Sequence, residues 1–484
     1  MQNVFNYRAA LSIFFLSILF SLLAYNPFGI YFLNDDFVHI TLTKNGNFLQ
    51  HNSLRIVHEV LLKLELFLWG KHPAGYHFDR LLIHLFCCWL VYRVGRTLFN
   101  LYGNFDRQAC HIAGVLSASF FAVYPFHSEA VLWVLGGGAS LSTLFFLVSL
   151  LAYLQRHQGY FWFFSSVIAF LFGLFTYESV WISPLIIATI SYLEIRKNKS
   201  TFRAELFFVV VYVSVFFAYL IIRVYLLGEI INQYEAGGFA RFPFQSWVLN
   251  YNRLLARSFL PPLGSTIGFV TAYCIVFGAF LGWGVFILKT KKHTTLFFLV
   301  LSAWLIALLP FVGLGIDTHD TESERFLYLP SVFFSFFSAL FIVHLRCRLW
   351  IKTFFAGLFI LGSVGFLYKN SRDYRVASVV SESLLRDVSV TLKPGQPVCI
   401  QNLPKQLNGV KIFHLGFKEG LGWLYHADTA RVTVLHSFDL APTEKYYKQF
   451  PRYNYVFKAS VSIKPVNEIP KYITVHYDTS IFKP

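Results

Sequence analysis

"LFFVVVYVSVFFAYLIIRVYLL", residues 206–227, carries a single charged side chain, Arg223, in a run otherwise apolar or hydroxylic. At 1.5 Å per residue, about 20 such residues cross the ~30 Å hydrocarbon core of a bilayer as a helix. The stretch therefore reads as a membrane span. Ten others accompany it, near 9–28, 77–99, 110–126, 137–154, 160–177, 178–194, 266–288, 294–316, 327–345 and 353–369. About eleven spans make the chain an α-helical polytopic membrane protein.

Composition agrees. The 484 residues are 56% hydrophobic and 14% charged, with a mean hydropathy of +0.54. A soluble domain would leave that much apolar surface in water. The 56 Phe residues suit lipid-facing or helix-packing surfaces. The net charge of +16 lies in short basic clusters between apolar runs. Such clusters anchor cytoplasmic loops, and they argue against a nucleic-acid partner. The six Cys residues (Cys87, Cys88, Cys110, Cys274, Cys347 and Cys399) have no metal-ligand spacing. No small-residue cleavage site follows the first run, which reads as a retained helix.

The loops sort by charge. One set holds Arg93, Arg96, Arg107 and Arg156, then "EIRKNKSTFR" (194–203), "KTKKH" (289–293) and "HLRCRLWIK" (344–352). The alternate set holds Asp35 and Asp36, "YPFHSEAV" (124–131), "FTYESV" (175–180), residues 228–265 and "DTHDTESER" (317–325). The positive-inside rule assigns the first set to the cytoplasm and the second to the opposite side. With an odd number of spans, the N-terminus is expected inside and the C-terminal tail outside.

"YFLNDDFVHI" (31–40) then sets two adjacent carboxylates at the external end of the first span. Charge there is costly unless it is solvated, paired or used for chemistry. Residues 52–70 follow as an expected interfacial amphipathic helix, with Arg55, Glu59, Lys63 and Glu65 among helically spaced apolar residues. From about 370 the pattern changes. "VKIFHLGF", "ARVTVLHSF", "YNYVFKASVSIKP" and "KYITVHYD" read as short strands. The expected division is thus a transmembrane domain over 1–369, its first external loop at 29–76, and a small extracytoplasmic α+β or β domain over 370–484.

A first helix ending in an external acidic pair, followed by an amphipathic loop helix, resembles the GT-C class of membrane glycosyltransferases. "AGYHFDRLLIHLFCCWLVYRVGRTLF" (74–99), "FAVYPFHSEAVLWVLGGGASLSTLFFLVSLLAYL" (121–154), "GLFTYESVWISPLIIATISYL" (173–193) and "ERFLYLPSVFFS" (324–335) narrow the match. They are similar, in order, to segments of protein O-mannosyltransferases. The likeness is strongest to the transmembrane and tetratricopeptide-repeat subfamily and its bacterial relatives. This chain departs at Gly137, Gly138, Ala139 and Ser140, where that subfamily has a Gly-Arg-Ala-Asp-like stretch. It departs again at Tyr177, where Lys precedes Glu-Ser, at Asp79–Arg80, and in having no such repeats.

The resemblance implies an inverting transfer of a sugar, mannose for preference, from a polyprenyl-phosphate carrier to a hydroxyl of a protein, lipid or glycan acceptor. A carboxylate of the first external loop would be the base, with Asp36 slightly preferred to Asp35. Against this stands plain helix capping by "NDD". Arg325 can grip the departing phosphate bidentately, or else anchor the interface or pair with Glu322 or Glu324. Arg253 and Arg257, at helical spacing, are further phosphate candidates or a solvated basic face. His127, Glu129 and Glu178 can shape the sugar pocket or simply end helices by local hydrogen bonding. No cofactor is demanded. A divalent cation enters only if His127, Asp35 and Asp36 converge. The "GGG" at 136–138 lacks the surroundings of a nucleotide loop and reads as close helix packing.

A transporter or flippase of lipid-linked sugars is the competing class, but it would carry its acids near the bilayer midplane. The absence of repeats and the modest length favour a bacterial inner membrane.

Overall fold

The structure is a computed structural model that describes residues 7–46, 53–228, 244–345 and 348–392. Of the tail it describes 398–401, 403–430, 432–434, 437–440, 459–464 and 471–477.

Helix α1 (Tyr7–Tyr25) leads into α2 (Asp36–Lys44) and α3 (Ile56–Trp69). Then follow α4 (Pro73–Tyr102), α5 (Arg107–Ala122), α6 (Ser128–Leu132), α7 (Gly137–Leu154), α8 (Tyr160–Leu174), α9 (Ser183–Arg196) and α10 (Phe202–Leu227). After these come α11 (Phe244–Arg257), α12 (Thr266–Thr290), α13 (Thr294–Ala307), α14 (Tyr328–His344) and α15 (Leu349–Thr391). Sequence dictates several boundaries. Asp106 caps α5 by accepting from the Ala109 amide at 2.7 Å, Thr201 and Ser265 cap α10 and α12, and α10 closes on Gly228 at φ +77°.

A helix occupies each of the eleven expected runs. Among the described residues, nine segments are long and apolar enough to cross a membrane. The two that fall short are α5, with 16 residues, and α8, with 15. Large apolar side chains face outward along α8, α10, α12 and α15, among them Phe161, Ile221, Ile267 and Trp350. Inside, Trp304 packs edge-on against Phe259 and Phe280, and Phe280 stacks on Phe337 at 4.5 Å. The Phe-rich composition thus serves both surfaces.

Helix α3 is amphipathic, as its spacing implies, but its two acids are not solvated. Val60, Leu64 and Phe67 are exposed, whereas Glu59 and Glu65 are buried against the protein. That orientation suits a helix whose apolar side meets lipid and whose acids pair inward.

The last apolar run, expected at 353–369 with a tail from 370, lies inside a helix that continues to Thr391. Residues 370–391 are more polar, so mean hydropathy falls there. Helical periodicity persists, however, with Tyr374, Ala377, Val380, Leu384, Leu385 and Val388 all buried. At 1.5 Å per residue, α15 is about 65 Å long and overshoots a bilayer.

The tail forms strands β1 (Val398–Gln401), β2 (Leu403–Leu407), β3 (Val410–Lys411), β4 (Val432–Val434), β5 (Ser437–Leu440), β6 (Ala459–Lys464) and β7 (Lys471–Tyr477), with helix α16 (Phe417–Tyr425) after β3. One sheet runs β4-β1-β7-β6 and the other β3-β2-β5. β1 is parallel to both its neighbours, while β6 and β7 form an antiparallel pair. The sequence predicts a strand for "VKIFHLGF", but only its first two residues pair. The rest turns at Gly416, φ +85°, and packs on α2, where Phe413 stacks on Phe37. Residues 453–458 of the expected "YNYVFKASVSIKP" strand lie outside the described residues.

Candidate active site

The acidic pair follows Asn34, a buried residue in the left-handed region at φ +50°. The tail holds it there. The Asn34 amide donates to the Ile412 carbonyl at 2.8 Å, and the Leu415 amide donates to Asn34 Oδ1 at 2.9 Å. The next two residues then diverge in environment.

Asp36 opens α2 and is fully buried. Its Oδ2 accepts from the Leu33 amide at 3.0 Å and its Oδ1 from the Leu135 amide at 3.1 Å. Burial pushes this carboxyl up to about 8, against the opposing pull of those two amides. Asp35 sits one residue earlier at the N-cap, yet its side chain makes no cap hydrogen bond. Oδ1 of Asp35 is buried and has no hydrogen-bond partner among the described residues. Burial raises its pKa, while His39, Arg325, His414 and Lys411 pull it back.

Asp35 lines a cavity of about 590 Å³, together with His39, Arg55, Glu129, Tyr177, Arg325 and, from the tail, Lys411 and His414. Asp36 does not line it. The sequence slightly favours Asp36 as the base; in the structure the amides of Leu33 and Leu135 each hold one of its oxygens, and of the pair only Asp35 lines the cavity.

Two guanidiniums face the same space. Arg325 donates to Glu129 from both its backbone amide (2.9 Å) and its side chain. The guanidinium lies over the rings of Trp133 and Phe326 and approaches the Tyr177 hydroxyl at 3.4 Å. Its partner is thus neither Glu322 nor Glu324, because Lys411 takes Glu322 at 2.7 Å and Arg257 takes Glu324. Arg55 lies 4.5 Å over the ring of the same Tyr177 and donates to Glu178 Oε2 at 2.7 Å. Arg223 holds the second oxygen of Glu178 at 3.2 Å. The carboxylates Glu129 and Glu178 aim the two arginines. Each arginine side chain remains about a quarter exposed, 24% for Arg325 and 29% for Arg55.

The remaining expected residues go elsewhere. Arg257 is wholly buried, donating to the carbonyls of Leu260 (2.6 Å) and Asp317 (2.9 Å) besides Glu324, so it braces loop 317–324 and is not available to a ligand. Arg253, one turn earlier, is exposed and outside the cavity lining. The shared face expected of the two does not form. His127 is buried in an aromatic cluster with Phe121, Tyr124 and Tyr328, its Nε2 2.7 Å from the Ser331 hydroxyl. His127, Asp35 and Asp36 accordingly do not form a ligand set. Among the described residues, no three His, Cys, Asp or Glu gather as metal ligands would.

Behind Asp36 stands a second buried network. Arg80 of α4 makes a fork-to-fork pair with Glu65 of α3, both contacts at 2.7 Å, and its Nε donates to the Val134 carbonyl at 2.9 Å. That fixes the peptide whose next amide, Leu135, holds Asp36. The "GGG" stretch is close packing of a specific kind: a Cβ on Gly137 would stand 2.0 Å from Arg80 Cδ.

The sequence does not mark His39, Lys411 or His414, and it offers Arg55 only as a charged residue of the expected amphipathic helix. A signal for His39 was nonetheless present, since it follows Asp35 by one helical turn. Nothing in the order of residues places Lys411 beside Asp35.

No family model matches the chain. It is 33% identical over 126 residues to the protein O-mannosyl-transferase Tmtc1 of Drosophila melanogaster, covering 26% of this chain and 13% of that one. To TMTC4 of Mus musculus it is 34% identical over 113 residues, 22% and 15% of the two chains. The chain is similar to protein O-mannosyl-transferases. The likeness covers under a third of this chain and about a seventh of those relatives, and it agrees with the resemblance drawn from the sequence. Among solved structures, ArnT from Cupriavidus metallidurans bound to undecaprenyl phosphate aligns with a TM-score of 0.47 at 11% identity, over 88% of this chain and 85% of that one. The Archaeoglobus fulgidus oligosaccharyltransferase tethered with an acceptor peptide gives 0.46 at 14%, over 88% and 63%.

Proposed function

We propose that the chain is an inverting glycosyltransferase that moves a sugar, mannose in the first instance, from a polyprenyl-phosphate carrier to a hydroxyl acceptor on the external membrane face. One observation carries the reading: a single cavity holds a carboxylate, Asp35, whose Oδ1 has no hydrogen-bond partner among the described residues, and two aimed, partly exposed guanidiniums, Arg325 and Arg55. Glycosyl transfer from a lipid phosphate needs that pair of chemistries. A base takes the acceptor proton while fixed positive charge receives the charge developing on the leaving phosphate. In this reading Asp35 is the base, and the acceptor oxygen attacks the anomeric carbon as the bond to phosphate breaks, inverting that centre. Arg325 and Arg55 bind the phosphate oxygens, and Glu129 and Glu178 hold the arginines in place. Asp36 orders the start of α2.

A lipid-linked donor fits because nucleotide sugars are made in the cytoplasm, whereas the charge sorting of the loops supports the opposite side for the carboxylates. The names of the matched relatives support mannose and a protein hydroxyl. The test is transfer by the purified full-length protein from radiolabelled mannosyl-phosphoryl-undecaprenol to a Ser/Thr-rich peptide. Label in the peptide with inverted anomeric configuration supports the reading, and retained configuration counts against direct displacement.

A further inference from the structure

Asp35 and His39 occupy successive turns at the start of α2. The His39 amide donates to the Asp35 carbonyl at 2.9 Å, and both residues line the cavity. The imidazole is held from behind. His39 Nδ1 lies 3.0 Å from Glu59 Oε1, and the Thr43 hydroxyl donates to Glu59 Oε2 at 2.8 Å. Glu59 is 5% exposed and is one of the two inward-turned acids of α3. Burial alone would raise its pKa, but the hydrogen bonds from His39 and Thr43 and the neighbouring His58 bring it below the ordinary value. A buried carboxylate accepting from Nδ1–H selects the tautomer whose basic nitrogen is Nε2, and it stabilises the imidazolium that forms when Nε2 takes a proton.

The surroundings suit such a role. Besides Asp35, the charged groups that line the cavity with His39 are Arg55, Glu129, Glu322, Arg325 and, from the tail, Lys411 and His414, with His58 and Glu59 of α3 beside it. A histidine that merely tied α2 to α3 would not need to face the cavity.

We propose that His39, oriented by Glu59, receives from Asp35 the proton removed from the acceptor hydroxyl, a role that rests on the glycosyl-transfer reading above. The balance is complete. The acceptor oxygen forms its bond to the anomeric carbon while the carbon–phosphate oxygen bond breaks, its electron pair leaving on the phosphate. The proton passes from the acceptor to the Asp35 carboxylate, then to His39 Nε2 and on to solvent, so Asp35 is again ionised for the next turnover. Glu59 is a positioning residue in this scheme, since it acts through His39.

The experiment compares wild type, His39→Ala and Glu59→Gln as full-length proteins, with mannosyl-phosphoryl-undecaprenol and a Ser/Thr-rich peptide. His39→Ala is expected to lose about 10²-fold in kcat with little change in donor KM, and added imidazole should restore part of the loss. Glu59→Gln should lose roughly 10- to 100-fold without rescue. An active wild type with an equally active His39→Ala, or a loss that imidazole leaves untouched, overturns the relay alone. A wild type that moves no sugar overturns the transfer reading and the relay with it. Nitrogen-15 histidine NMR judges the dyad apart from activity: the Nδ1–H tautomer of His39 is expected in wild type and altered in Glu59→Gln. An Nε2–H tautomer in wild type would overturn the arrangement.

Discussion

The Leu415 amide donates a 2.9 Å hydrogen bond to the Asn34 side chain across 381 residues of sequence, and the residue after Asn34 is Asp35. The C-terminal tail therefore helps set the position of the proposed base. Gly416 allows the approach: at φ +85°, a Cβ there would stand 2.4 Å from the Asn34 carbonyl oxygen. Gly416→Val should loosen this docking, speed limited proteolysis within 403–425 and lower transfer by about 10²-fold, since a shift near 1 Å at a reacting group costs on that order. Helix content by circular dichroism should stay unchanged.

Arg325 offers a planar fork, fixed by Glu129 and by the rings of Trp133 and Phe326. Lysine keeps the charge but loses the fork and the stacking. Arg325→Lys should lower kcat/KM for the lipid-linked donor by roughly 10²- to 10³-fold, the loss typical of removing one fixed donor from developing charge. Steady-state kinetics in detergent check it.

The Arg80–Glu65 pair is buried on both sides, at 0% and 1% side-chain exposure. Glu65→Gln leaves the guanidinium uncompensated and should destabilise the protein by about 3–5 kcal/mol. Gly137→Ala sets a methyl against Arg80 and should cost about 1–3 kcal/mol. Thermal unfolding of the two variants in one detergent would rank them in that order.

Asp36 gives a pH signature in stability. Its carboxyl titrates near 8 in the folded protein, because it is buried, against about 3.9 in an unfolded chain. The native state binds this proton more tightly, so the contribution is complete below about pH 4 and is lost as pH rises through about 8. The unfolding temperature should fall between about pH 5 and about pH 9 with a component absent from Asp36→Asn. That variant should also be less stable by about 1–3 kcal/mol, because its amide group turns a donor toward the Leu33 or Leu135 N–H.

The spans were legible because membrane helices are written in runs of one kind of side chain, and all eleven runs are helical. The end of α15 was not, because residues 370–391 change polarity without changing period. The acidic pair was legible as a site, but the roles within it were not. Asp35 and Asp36 are chemically identical, and what separates them is the pair of amides on Asp36, one of them from Leu135, 99 residues away in sequence. Lys411 and His414 belong to the same class of information, since docking of the tail on Asn34 brings them to the cavity. Glu129 and Arg325 were both named from the sequence, yet their pairing was missed, because Glu322 and Glu324 were nearer in the chain.

The central claim is that Asp35 removes the acceptor proton, and comparing Asp35→Asn with Asp36→Asn tests it most directly. Purified full-length variants, matched for folded protein by thermal melt, would be assayed for mannosyl transfer from mannosyl-phosphoryl-undecaprenol. Asp35→Asn should melt like wild type and lose at least about 10²-fold in kcat. Asp36→Asn should lose stability first and retain transfer per folded molecule. Wild-type turnover by a folded Asp35→Asn, with abolished turnover in a folded Asp36→Asn, would contradict the account.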